Sequence, residues 1–227
     1  MLKVQNVTSG YGRVMIVNDV SFEIGEGELV SIVGRNGIGK TTLMKTIIGL
    51  LKAEQGTITY IDKDITKQKA YERVWEGIGY VPQGHMVFPQ LTVEENLKMG
   101  ENINPIKGKK FNFDLVYEYF PRLAERRKQQ AGTMSGGEQA MLSIGRVLIG
   151  NPKVMLLVQP NIVNMMGDII LRINKEMGLT VLLVEQHIGL IQQISQRCYA
   201  MEKGRIVQNM NREELLDYEK IKKYLSV

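Results

Sequence analysis

The run Gly34-Arg35-Asn36-Gly37-Ile38-Gly39-Lys40-Thr41-Thr42 has the residue types and the spacing of a loop that holds phosphate. Glycines at 34, 37 and 39 let the backbone bend until successive N–H groups converge on phosphate oxygens. Lys40 can then reach the β- and γ-phosphates of a nucleotide, the Thr41 hydroxyl can ligate Mg²⁺, and Thr42 can add a further hydrogen bond. A glycine-rich turn alone is usually only a turn. Here every position of G-x-x-x-x-G-K-[S/T] is filled, so Gly34, Asn36, Gly37, Gly39, Lys40, Thr41 and Thr42 form a candidate nucleotide-binding set.

The flanking elements suit that chemistry. Glu28-Leu29-Val30-Ser31-Ile32-Val33 is an apolar, β-branched strand and Thr42–Ile48 reads as a helix, which puts the glycines at a strand-to-helix turn and at the positive end of a helix dipole. About a hundred residues on, Met134-Ser135-Gly136-Gly137-Glu138-Gln139 precedes an apolar-periodic stretch, Ala140–Leu148, that also reads as a helix. A serine and two glycines at a helix start are either a second anion site or an ordinary N-cap, and the residues alone leave both open.

With these motifs the chain resembles the ATP-binding-cassette (ABC) ATPases, whose signature reads LSGGQ or, in one branch, LSGGEQ. Further motifs of that family fall in the right order: Tyr11, within Gly10-Tyr11-Gly12, matches the aromatic that stacks on adenine, and Gln83 matches the glutamine that touches Mg²⁺ and senses the membrane partner. The stretches Phe88–Leu97 and Val181–His187 are similar to one branch, the importer ATPases for branched-chain amino acids and for urea. The resemblance implies an α/β fold: a P-loop NTPase (RecA-like) core with an antiparallel β subdomain over 1–83 and 150–227, and an inserted helical subdomain over 84–149. It implies ATP and Mg²⁺ as cofactors and a head-to-tail dimer with composite sites. Lys40, Thr41 and Gln83 of one subunit would hold phosphates and metal, while Ser135, Gly136, Gly137 and Glu138 of the other close on the γ-phosphate. Implied partners are two transmembrane permease subunits, a second ATPase that is a copy or a paralogue, and, indirectly, a periplasmic or extracellular solute-binding protein. The implied location is peripheral, on the cytoplasmic face of the cell membrane, with urea and branched-chain amino acids both open as solute.

Two departures from the family pattern stand out. Other members read Thr-His-Asp after the strand that ends here at Val184, so Glu185-Gln186-His187 puts Gln186 at the switch position. Gln186 can donate a hydrogen bond to the γ-phosphate or the attacking water but cannot carry charge as histidine does. It joins Lys40 and Gln83 as the implied catalytic set, and His187 reads as a helix-start residue if it has no such role. The family's Walker B strand ends in Asp-Glu-Pro, whereas Leu157 is followed by Val158-Gln159-Pro160-Asn161-Ile162-Val163. That run matches the end of the family's next loop better than it matches Asp-Glu-Pro, as if about six residues were absent between Leu157 and Val158. Because every other phosphate-binding motif is intact, the expectation is that the block belongs to the protein. Leu157 and Val158 would then lie far beyond the roughly 1.33 Å of a peptide bond. A truly shortened chain would instead bind ATP with little turnover, as a nucleotide-binding subunit without hydrolytic activity.

Composition sets the outer bounds. The 227 residues can bury one substantial core, and the apolar runs are far below the roughly 18 residues of a membrane span. The start, Met1-Leu2-Lys3-Val4, reads as a strand and not as a signal peptide. The single cysteine, Cys198, sits among strand-like neighbours as a small core residue, and His85 and His187 lack metal-ligand spacing. Net charge is +5, but the basic residues are scattered, so no nucleic-acid partner is expected. The longest basic cluster, Lys107-Gly108-Lys109-Lys110, reads as a solvated loop, with anionic lipid or a partner as the sharper alternative. Strands at Leu2–Val7, Val20–Ile24 and Gly56–Tyr60 suggest the antiparallel sheet. Alternating strands and helices from Val154 onward suggest the parallel one, and Arg212–Leu225 reads as a terminal amphipathic helix.

Overall fold

The computed structural model describes residues 1–84, 86–103, 112–158 and 164–225. Strands β1 (Leu2–Tyr11) and β2 (Val14–Ile24) form an antiparallel hairpin, and β3 (Leu29–Val33) runs through a glycine turn into helix α1 (Lys40–Ile48). Next come β4 (Gln55–Tyr60), the short β5 (Lys63–Asp64), α2 (Ala70–Trp75) and β6 (Ile78–Val81). A helical run follows: α3 (Val93–Met99), α4 (Phe113–Tyr119), α5 (Pro121–Glu125) and α6 (Gly136–Ile149). The chain then alternates through β7 (Val154–Leu157), α7 (Asn164–Met177), β8 (Thr180–Val184), α8 (Ile188–Ile194) and β9 (Arg197–Glu202). It closes with β10 (Arg205–Met210), α9 (Arg212–Leu216) and α10 (Tyr218–Lys222).

Two sheets result. The first is antiparallel in the order β2-β1-β4-β5; the second runs β10-β9-β3-β8-β7-β6 and is parallel except for the edge strand β10. Every residue of β3, β7 and β8 is buried, as a parallel strand covered on both faces requires. Their alternation sorts the core. Val30, Ile32, Val154, Leu156 and Leu182 face α1 and the first sheet, while Leu29, Met155, Leu157, Val181 and Leu183 face the helical layer. Cys198 is wholly buried and its thiol is pushed up to about 12 by burial, the unreactive core residue the sequence implies.

The structure corrects one expectation. The terminal helix over Arg212–Leu225 is broken at Asp217, whose carboxylate accepts from the amides of Glu219 and Lys220 at 3.1 and 3.3 Å and so starts α10 afresh. A local N-cap here outweighs the continuous amphipathic period. The chain passes directly from Leu157 into Val158, whose amide donates to the Val81 carbonyl at 2.9 Å and extends the β6–β7 ladder by one residue. Val158 keeps the strand's alternation, turning a buried side chain to the α1 side. The loop match over Gln159–Val163, the basic cluster Lys107–Lys110 and His85 lie outside the described residues.

One buried cation fixes the far end of α1. Arg73, 1 % exposed, donates to the carbonyls of Thr46 (2.9 Å) and Ile47 (2.7 Å) in the last turn of α1, and to those of Thr66 (2.9 Å) and Gln68 (3.2 Å). Positive charge at a helix C-terminus complements the dipole, and the guanidinium satisfies carbonyls that would otherwise be buried without a donor. Arg73→Met, which keeps the apolar stem and removes the donors, is expected to lower unfolding free energy by roughly 2–4 kcal/mol in urea titration. A loss below about 0.5 kcal/mol, typical of an inert surface change, would refute that role.

Candidate nucleotide-binding site

The glycine turn after β3 takes a path that side chains do not tolerate. Gly34 has φ +148°, and a Cβ there would lie 2.4 Å from the Met201 carbonyl oxygen; Gly39 has φ +109° and packs against Ile16. Gly39 is also the N-cap of α1 and offers no side chain to its first turn, so those amides are left for a ligand. Lys40, 6 % exposed, donates from Nζ to the carbonyls of Gly34 (2.5 Å) and Arg35 (2.6 Å), which holds it across its own loop. Burial pulls its pKa down to about 8, with the nearby Glu185 carboxylate opposing that shift. Phosphate placed beside the ammonium would favour the charged form in the same way.

A cavity of about 530 Å³ opens over this turn. Asn36, Gly37, Gly39, Lys40, Thr41 and Thr42 form its floor, and the walls come from the carboxyl ends of neighbouring strands. Gln83 follows β6, Val158 follows β7, and Glu185, Gln186 and His187 follow β8. Tyr11, at the end of β1 and 49 % exposed, lines the cavity with the Lys45 ammonium 5.9 Å from its ring centre. The structure therefore brings together Tyr11, the glycine loop, Gln83 and Gln186, and Gln186 Nε2 donates to Asn36 Oδ1 at 2.5 Å. His187 is exposed, and its Nδ1 accepts from the Leu190 amide at 3.1 Å, which caps α8.

The signature residues are elsewhere. None of Ser135, Gly136, Gly137 or Glu138 lines this cavity. They form the first turn of α6, where Ser135 Oγ accepts from the Glu138 amide at 3.3 Å and Glu138 Oε2 accepts from the Ser135 amide at 2.9 Å. Glu138 Oε1 pairs with Arg126 at 2.9 Å, so its carboxylate is turned to its own chain. The Phe88–Leu97 stretch has a role that its letters alone did not disclose. Buried Asn96 accepts from the Phe88 amide and donates to the carbonyls of Phe88, Leu91 and Thr92, clamping the segment that follows Gln83.

A family model described as ABC transporter matches residues 17–160. The chain belongs to the ABC transporter ATP-binding family. It is 40 % identical over 228 residues to the high-affinity branched-chain amino acid transport ATP-binding protein BraG of Pseudomonas aeruginosa, covering 98 % of this chain and 97 % of that one. A probable branched-chain amino acid transport ATP-binding protein, LivF of Archaeoglobus fulgidus, is 35 % identical with the same coverage. Among solved structures, the ADP conformation of an ATP-binding cassette of an ABC transporter superposes with TM-score 0.84 at 26 % identity. That match covers 100 % of this chain and 99 % of the other. The cassette is thus a nucleotide-binding member of an ATPase family.

Glu185 also lines the cavity, and its burial there is not visible in the Glu185-Gln186-His187 run, whose switch position is Gln186. If the cavity holds ATP, Lys40→Ala is expected to abolish tight binding in a fluorescent-nucleotide titration, since no other ammonium lines the cavity among the described residues. Tyr11→Ala is expected to weaken binding by about 1–3 kcal/mol, the range for a base stacked on an aromatic ring. Unchanged affinity in that second variant would mean that the ring does not stack.

Proposed function

We propose that this cassette is the ATP-binding and ATP-hydrolysing subunit of an importer for branched-chain amino acids. It works as a dimer on two membrane-spanning permease subunits, served by a solute-binding protein. The reading rests chiefly on one observation: Tyr11, the glycine-loop residues from Asn36 to Thr42 that include Lys40, Gln83 and Gln186 line one cavity, while the same chain presents the signature turn at another surface. A second copy or a paralogue, docked head to tail, would bring Ser135, Gly136 and Gly137 over the nucleotide. Residues 84–149 would act as the helical subdomain that carries this turn toward the partner. The solute assignment follows the names of the relatives from Pseudomonas aeruginosa and Archaeoglobus fulgidus. No helix among the described residues is long and apolar enough to cross a membrane, so attachment at the cytoplasmic face would come through the permeases.

Mg²⁺ fits the same cavity. Among the described residues no three His, Cys, Asp or Glu side chains form a metal cage. A full cage is not needed, because Mg²⁺ keeps several waters and is bound through one or two carboxylates together with phosphate oxygens. Thr41 and Gln83 offer such oxygens, and bound there the ion would offset charge on the transferring phosphate. The protein's own part is positioning. The loop amides and Lys40 would hold the phosphates, Gln186, which donates to Asn36, would donate to the γ-phosphate or the attacking water, and the partner's signature turn would exclude water.

Ser135→Arg separates binding from closure. The variant is expected to bind ATP as a monomer with near-normal affinity, to fail to dimerise on ATP in size-exclusion chromatography with light scattering, and to lose turnover. Normal ATP-driven dimerisation of the variant would refute the composite site. For the solute, loss of leucine uptake with urea uptake intact on deleting the gene is the expected result, and the reverse would move the assignment to urea.

A further inference from the structure

The end of β7 leaves the cavity without the carboxylate that a phosphate-bound metal ordinarily faces. Val158 fills that wall, and residues 158–167 contain neither Asp nor Glu. One carboxylate does line the cavity among the described residues, and it comes from the adjacent strand. Leu157 of β7 pairs with Leu183 of β8, so Val158 lies beside Val184 and Glu185 follows one residue on. Glu185 is tied to the loop strand as well, since its amide donates to the Ile32 carbonyl at 3.3 Å.

Its side chain is unusual for a glutamate. It is 3 % exposed, and it has no arginine or lysine within salt-bridge distance among the described ion pairs. Oε1 accepts from the amides of Gln186 (2.6 Å) and His187 (3.0 Å), which fixes the carboxylate's orientation. Oε2 is buried with no hydrogen-bond partner. A buried carboxylate oxygen left without a donor costs free energy, and such a group in a cavity wall indicates a partner that arrives with the ligand. The Lys40 ammonium is close enough to interact with it electrostatically, so the group belongs to the phosphate end of the cavity.

We propose that Glu185 supplies the metal-facing carboxylate of this nucleotide site, its Oε2 accepting from water in the shell of the Mg²⁺ that accompanies ATP, in place of the acid absent after β7. Glu185 is a positioning residue: it orders the metal's water shell and does not itself bond the phosphates. The proposal rests on the ATP-binding reading above. It extends that reading by explaining how a cassette without acids after β7 still presents negative charge to the ion.

The test is the affinity of Mn²⁺, a paramagnetic stand-in for Mg²⁺, for the protein–ATP complex, read from the free-ion signal in electron paramagnetic resonance. Glu185→Gln keeps an Oε1 for the two amides and is expected to leave the thermal midpoint near that of the wild type while weakening Mn²⁺ about 10-fold or more. ATP binding without metal is measured alongside for both proteins. Val158→Asp added to Glu185→Gln is expected to restore much of the lost Mn²⁺ affinity, because the aspartate would face the α1 side from the neighbouring strand. If Glu185→Gln binds ATP and holds Mn²⁺ within about twofold of wild type, the proposal is overturned while the ATP reading stands. If the wild type binds no ATP with or without metal, both fall.

Discussion

The N-terminus of α1 is uncapped by any side chain and is held in the interior between two sheets, and the rest of the molecule is arranged around that constraint. Its first-turn amides need an acceptor. The glycine path at 34–39 delivers the helix to the carboxyl ends of β3, β8, β7 and β6, where ligands of open α/β sheets bind. Buried Arg73 holds the opposite end of the same helix through the Thr46 and Ile47 carbonyls. Charge thus holds the C-terminus of this helix through a protein cation, and its N-terminus is left open to an anion.

Around that axis the sheet distributes chemistry by strand end. Gln83, Val158 and Glu185–Gln186 follow three successive parallel strands, and the backbone bonds from Val158 to Val81 and from Glu185 to Ile32 lock their relative heights. The valine at 158 is tolerated because it extends the apolar face of β7 toward α1. The β6–β7 pairing thus continues in register to the cavity wall.

The glycine loop, the signature turn and the strand–helix alternation were legible because each depends on local rules: positive φ at glycine, an N-cap with its capping box, and full burial of parallel strands. What was not legible depends on tertiary contact. Nothing in the letters shows that Asn96 clamps the loop after Gln83, that Arg73 ties off α1, or that Asp217 breaks the last helix. Glu185 was hidden by its neighbours, since a glutamate at a strand end gains meaning only when its burial and the unpartnered Oε2 are seen.

The central claim is that the amides at the start of α1, with Lys40, bind the terminal phosphates of an adenine nucleotide. Isothermal titration of the unmodified chain with ATP, ADP and AMP in turn tests it most directly. The account predicts one ATP per chain, ADP competing for the same site, and AMP failing to compete, because the cradle reads the β- and γ-phosphates. Equal binding of AMP, or no binding of ATP, would contradict it.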